Sequence, residues 1–219
     1  MKKSSTFAGA PETKNYYLFP IDSFIKQALL PFIPRFVQTN HVTLSMLAFA
    51  LLNVILGLWM QERTQFLFLF ALSITITHIL DLLDGELGRQ RHSGLELWGF
   101  YMDKVVDFVV LAGLGIGLLF VFSSTTWLVM LIILLYGAIM LQAMAYQAST
   151  AVFHKTYNRI GPTEAKFALI AVFLVGSWLN SQTLFWILLI TAAVLTTEFT
   201  RIVYRSQKRL WELDTKNKA

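Results

Sequence analysis

Six stretches of this chain, near 42–60, 65–83, 98–122, 126–148, 163–179 and 183–203, are predominantly apolar, the fifth being the shortest. A helix needs about twenty such residues to cross the hydrocarbon core of a bilayer. Lipid offers no hydrogen-bond partner to the backbone, so only helices and closed barrels can span it, and a barrel would show alternating strands instead of continuous runs. The reading that follows is an all-α polytopic membrane protein with six transmembrane helices. A soluble bundle would interrupt its apolar runs at helical spacing and would carry more charge than the 14% found here beside 56% hydrophobic residues.

Residues 1–38 read as a polar N-terminal segment followed by an interfacial amphipathic helix. Ile21, Phe24, Ile25, Leu29, Leu30, Phe32 and Phe36 alternate with Asp22, Lys26 and Arg35 and are interrupted by Pro31 and Pro34, which is too polar to span. Residues 39–205 form the six-helix domain, and 206–219 a basic tail. Lys2 and Lys3 are not followed by a short apolar core with a cleavage site, so no signal peptide is expected. There is no cysteine, which removes disulfides and thiolate metal sites.

The net charge of +5 lies in loops beside the apolar runs, without an aromatic-interleaved basic face. This pattern fits membrane lipids and anionic substrates and argues against a nucleic-acid partner. Of the eighteen Lys and Arg residues, Arg63 alone falls on the far side once the crossings are assigned. The positive-inside rule then makes the other side cytoplasmic, with both termini and every polar motif on it, in a membrane of the bacterial inner or plasma type. Gly113, Gly115 and Gly117 lie deep in the third run, where close helix packing or a dimer contact explains them better than a nucleotide loop.

The strongest chemical signal is a set of four aspartates at the cytoplasmic ends of the second and third runs. Asp81 and Asp84 are three residues apart and Asp103 and Asp107 four apart, so each pair shares a helix face. A short 85–98 loop makes the helices antiparallel neighbours and lets the pairs face each other. An ionised residue at membrane depth costs about 2.5–3.5 kcal/mol on insertion scales, so four need compensating positive charge. Divalent cations supply it, and oxygen ligands without cysteine or a correctly spaced histidine favour magnesium, manganese or calcium over zinc. The plainer alternative pairs these aspartates with Arg89, Arg91 and Lys104 as helix-end salt bridges. An ion transporter is a competing class, but it would place carboxylates deeper or on the far side as well.

Asp81-Leu-Leu-Asp84-Gly85-Glu-Leu-Gly88-Arg89, then nine residues, then Gly99-Phe-Tyr-Met-Asp103-Lys-Val-Val-Asp107, resembles the signature of the CDP-alcohol phosphotransferase family. Gly88 stands where that family usually has Ala, and the gap after Arg89 is about one residue longer. The resemblance implies a six-helix membrane enzyme, a homodimer, that moves a phosphate-linked group from a CDP-activated donor to an alcohol in phospholipid synthesis and releases CMP. It implies that Asp81, Asp84 and Asp103 hold Mg2+, or Mn2+, against the donor pyrophosphate. Asp107, counted with the metal group, would be the general base for the acceptor hydroxyl. Gly85 and Gly99 would give the nucleotide room, and Arg89 would contact donor phosphate.

Asn40-His-Val-Thr43 is similar to an Asn-x-x-Thr element placed near cytidine diphosphate in that family, and Asn40 or Thr43 as a helix N-cap is the ordinary alternative. His78, one turn before Asp81, is either a site residue or a buried hydrogen-bonded histidine. Asn158-Arg-Ile-Gly161-Pro162-Thr163-Glu164 resembles a stretch of the choline and ethanolamine phosphotransferases. On that reading Glu164 meets a cationic headgroup, with a CDP-aminoalcohol donor and a lipid acceptor. On the other, Arg159 and Lys166 hold the phosphate of a polar acceptor, with CDP-diacylglycerol as donor. Pro162 and Glu164 also suit the first turn of a helix without any ligand.

Overall fold

The computed structural model describes residues 17–91, 96–150 and 162–216, and within them the apolar runs fold as helices. In chain order these are α1 (Phe19–Leu29, prolonged by a 3-10 turn Leu30–Phe32), α2 (Thr39–Met60), α3 (Phe68–Gln90), α4 (Glu96–Val121), α5 (Thr126–Thr150), α6 (Pro162–Gly176) and α7 (Ser181–Lys216). No strand occurs among the described residues. Five helices, α2, α3, α4, α5 and α7, are long and apolar enough to cross a membrane. The sixth expected span forms α6, whose 15 residues rise about 22 Å, short of the roughly 30 Å of a hydrocarbon core.

Two boundaries differ from the sequence reading. The helix of the second run does not stop at its apolar end but continues through Gln90, so Gly85–Arg89 are helical and the 85–98 loop shrinks to a few residues. Arg91 ends the helix from outside: its backbone N–H reaches Leu87 O, and its guanidinium donates to Arg35 O at 3.0 Å and Pro34 O at 2.9 Å. The last helix likewise continues beyond residue 203, to Lys216. Arg209 with Glu212, three residues apart, lies in the part that leaves the apolar run.

Small residues set the packing order. On α4, Gly113 lies against the backbone of Ala50 and Gly117 against that of Asn53, while Gly57 of α2 lies against Gly117. Any side chain larger than hydrogen there would collide with backbone, so α2 and α4 approach as closely as two helices can. Gly115, on another face of α4, takes the side chain of Ile133 on α5. The glycines thus pack helices within one chain. α6 lies on α3, α7 lies on α5, and α1 lies across α3.

The dry core gathers where α2 meets α3 and α6 meets α7, with Met60, Leu67, Phe70, Phe173 and Leu184 buried together. Phe70 and Phe173 rings lie 6.0 Å apart. The four aspartates lie at the opposite ends of α3 and α4. Leu51, Ile55 and Trp59 on α2 and Leu134 and Leu141 on α5 are exposed, which suits lipid and would be a liability in water.

Candidate active site

The continuation of α3 past its apolar run decides the geometry of the site. Because the helix is unbroken, Asp81, Asp84, Gly85 and Arg89 keep helical spacing, and Asp103 and Asp107 keep theirs on α4. Asp81, Asp103 and Asp107 come together, and one carboxylate oxygen from each lies within 4.8 Å of the others. Oxygens bound at about 2.0–2.6 Å to one hard cation lie no more than about 5 Å apart, so this spacing fits a single divalent ion.

Asp84 is placed differently from its three neighbours. It is buried, and its Oδ2 accepts from Thr43 Oγ1 of α2 at 2.8 Å. Its Oδ1 is buried with no hydrogen-bond partner among the described residues. A carboxylate oxygen so placed is costly unless a cation or a ligand donor satisfies it. Asp84 remains within electrostatic reach of Asp103 and Asp81. The orphaned oxygen, the three converging carboxylates and the hard-oxygen donor set all fit magnesium or manganese.

Two ammonium groups accompany the four carboxylates. Lys166 Nζ donates to Asp81 Oδ2 at 2.8 Å across the α3/α6 contact, and Lys104 pairs with Asp103 beside it in sequence. Among the described residues negative charge stays in excess. Of the arginines named as helix-end partners, Arg89 bonds Glu86 at 2.7 Å and is 62% exposed, and Arg91 serves carbonyls of the segment after α1. The salt-bridge alternative therefore holds for Lys104 and fails for both arginines.

Gly85 and Gly99 face open space. A methyl group on Gly99 would meet nothing within 4 Å, and one on Gly85 would meet only the side chain of Arg89, 3.7 Å away. Among the described residues nothing packs against either position tightly enough to require glycine, which leaves close approach of a ligand as a reason for their size. Thr43, buried on α2, contacts Thr39 O as well as Asp84. Neither Asn40 nor Thr43 caps its helix. Gln38 does so, with His41 Nδ1 accepting the Gln38 N–H at 3.1 Å. The alternative N-cap reading is thereby corrected, and half-buried Asn40 lies in the first turn of α2.

His78 takes the buried, hydrogen-bonded option, with Nε2 3.2 Å from Asp22 Oδ1. Asp22 was legible only as a charge too polar for a spanning helix, yet it is 1% exposed and also accepts from Thr163 Oγ1 at 2.8 Å. Glu164 Oε1 accepts the backbone N–H of Leu18 at 3.0 Å and so engages the entry to α1. Tyr136 on α5, not singled out from the sequence, lies within electrostatic reach of Lys166, Asp107 and Asp81. Arg159, with Asn158, Gly161, His92 and His154, lies outside the described residues.

A family model described as CDP-alcohol phosphatidyltransferase matches residues 39–197, from the first residue of α2 to the middle of α7. No curated protein matches the chain.

Proposed function

The chain belongs to the CDP-alcohol phosphatidyltransferase family, and on that premise we propose that the aspartate cluster at the ends of α3 and α4 is where a phosphate-linked group passes from a CDP-activated donor to an alcohol. The observation that carries the proposal is the convergence of Asp81, Asp103 and Asp107 oxygens within 4.8 Å, beside the orphaned Oδ1 of Asp84. These residues would hold Mg2+, or Mn2+. When bound, the ion supplies positive charge against the pyrophosphate oxygens as they gain negative charge.

The chain's own groups do the rest. Asp107, the last carboxylate of the motif, takes the proton from the acceptor hydroxyl through an oxygen not turned to the metal. The acceptor oxygen then attacks the donor phosphorus distal to the cytidine, and the pyrophosphate P–O bond breaks so that CMP leaves with the electron pair. Gly85 and Gly99 admit the nucleotide to the helix backbone. Arg89, exposed beside Gly85, can turn from Glu86 to donor phosphate. Thr43 holds Asp84 in place, and Asn40 lies in the same first turn of α2.

For the donor, one contrast favours CDP-diacylglycerol with a polar acceptor. Lys166 reaches the carboxylate cluster, whereas Glu164 is engaged by the Leu18 amide. A cation at the cluster suits an acceptor that carries phosphate, and an acid tied to α1 is poorly placed for a cationic headgroup. Offering CDP-diacylglycerol and CDP-aminoalcohols separately, and identifying the lipid product by mass spectrometry, tests this. Turnover confined to CDP-aminoalcohols removes it.

The same proposal includes the topology. α6 is the sixth span, α1 and the segment after it lie in the interface with Phe24, Phe32 and Phe36 turned outward, and the site faces the cytoplasm. Exposure of those three rings, at 71%, 82% and 76%, supports the interfacial placement.

A further inference from the structure

Among the described residues Asp22 is the one fully buried carboxylate that the transfer chemistry does not use. It sits on α1, outside the segment matched by the family model. A carboxylate removed from water needs partners, and Asp22 draws them from two different helices. Its Oδ1 accepts from His78 Nε2 of α3 at 3.2 Å, and its Oδ2 accepts from Thr163 Oγ1 of α6 at 2.8 Å. His78 and Thr163 are 3% and 8% exposed. The Phe167 ring meets His78 edge-on at 5.6 Å and closes the same seam.

The spacing along the two helices gives this junction its meaning. His78 precedes Asp81 by three residues, and Thr163 precedes Lys166 by three, so each lies one turn from a member of the Asp81–Lys166 ion pair and on the same face. α3 and α6 are therefore bridged twice at this end, once through Asp22 and once directly. The direct bridge is the one at the cluster.

We propose that Asp22 is a positioning residue: by holding His78 and Thr163 together it fixes the spacing and rotation of α3 and α6 at which Lys166 lies against Asp81. The inference rests on reading the aspartate cluster as the transfer site. Releasing Asp22 frees Lys166 from Asp81, which makes the cluster more negative and removes a cation from beside the reacting phosphates.

The test is a set of double-mutant cycles on the full chain in nanodiscs, with two readouts: Mn2+ affinity by electron paramagnetic resonance, and kcat and KM for CMP release. Asp22→Leu, which keeps the size of the side chain and removes both acceptors, and Thr163→Val are measured alone and in the Lys166→Met background, with Thr163→Ser as the conservative variant. Both disruptive variants are expected to tighten Mn2+ binding about tenfold, as Lys166→Met does, because a competing ammonium has left Asp81. They are expected to lower kcat about 10- to 100-fold with little change in donor KM. Neither adds to the effect of Lys166→Met, and Thr163→Ser keeps wild-type values.

Wild-type Mn2+ affinity and kcat in Asp22→Leu, or effects that add in full to those of Lys166→Met, overturn the proposal. If Asp22→Leu does not fold, Thr163→Val decides by the same criteria. A wild-type chain that releases no CMP from any CDP donor but shows the Mn2+ coupling sinks the functional reading and leaves the positioning role standing. Absence of both CMP release and Mn2+ binding in the wild type overturns both.

Discussion

Replacing Gly113 by alanine puts a methyl carbon 2.7 Å from the Cα of Ala50 on α2, where two carbons prefer about 3.5–4.0 Å. Both partners at this contact are backbone, so no rotamer can relieve it, and α2 and α4 must part by about 1 Å. Overpacking of this kind costs about 1–3 kcal/mol, and the rigid contact places it at the upper end. Alanine returns about 1 kcal/mol through its better helix propensity, leaving a net loss of about 2 kcal/mol. The functional effect is larger. Asp107 lies six residues away on the same helix, about 9 Å along its axis, while Asp81 stays on α3. A shift of about 1 Å in one half of a reacting constellation can cost about 100-fold in rate. Unfolding in graded SDS and CMP release in nanodiscs measure the two effects on Gly113→Ala and Gly117→Ala. Wild-type stability and turnover in both variants would refute the packing argument.

Gly85→Ala and Gly99→Ala should behave in the opposite way. Stability is unchanged or raised by up to about 1 kcal/mol, because the new methyl groups meet no backbone, while KM for the donor rises; unchanged KM in both removes the nucleotide role. Asp84→Asn should leave the Thr43 contact possible but raise the metal concentration for half-maximal rate about 10- to 100-fold, and an unaltered metal titration contradicts the assignment. In this cysteine-free chain, single cysteines at Lys208 and Arg91 should react with an impermeant maleimide only from the cytoplasmic side, and one at Arg63 only from outside. Labelling of all three from one side overturns the topology.

The spans of α2, α4 and α5 are written in the sequence because lipid tolerates only apolar side chains over the length of a crossing. Hydropathy is blind to what happens beyond the bilayer. The continuation of α3 through Gly85–Arg89 depends on Arg91 gripping the carbonyls of Pro34 and Arg35, a contact more than fifty residues distant. The extension of α7 to Lys216 carries a charged pair, Arg209 with Glu212, that the apolar pattern does not register. Within the site, i,i+3 and i,i+4 spacing was enough to put Asp81, Asp103 and Asp107 on facing surfaces. It could not separate Asp84, whose place behind Thr43 comes from the approach of α2. Nor could it pair Lys166 with Asp81, since that contact is set by the α3/α6 packing. Asp22 was least legible of all. A carboxylate among surface charges on an amphipathic helix looks solvated, and only the rotation of α1 on α3 and α6 turns it inward.

The central claim, that Asp107 serves as the base beside a metal held by its neighbours, is tested most directly by single-turnover CMP release from a CDP donor by wild type and Asp107→Asn, each with Mg2+ and after thorough chelation. The account predicts release by the wild type only with Mg2+ and acceptor both present, and a rate for Asp107→Asn below about a tenth of wild type with donor binding retained. Release that survives chelation, or an Asp107→Asn rate above that level, contradicts it.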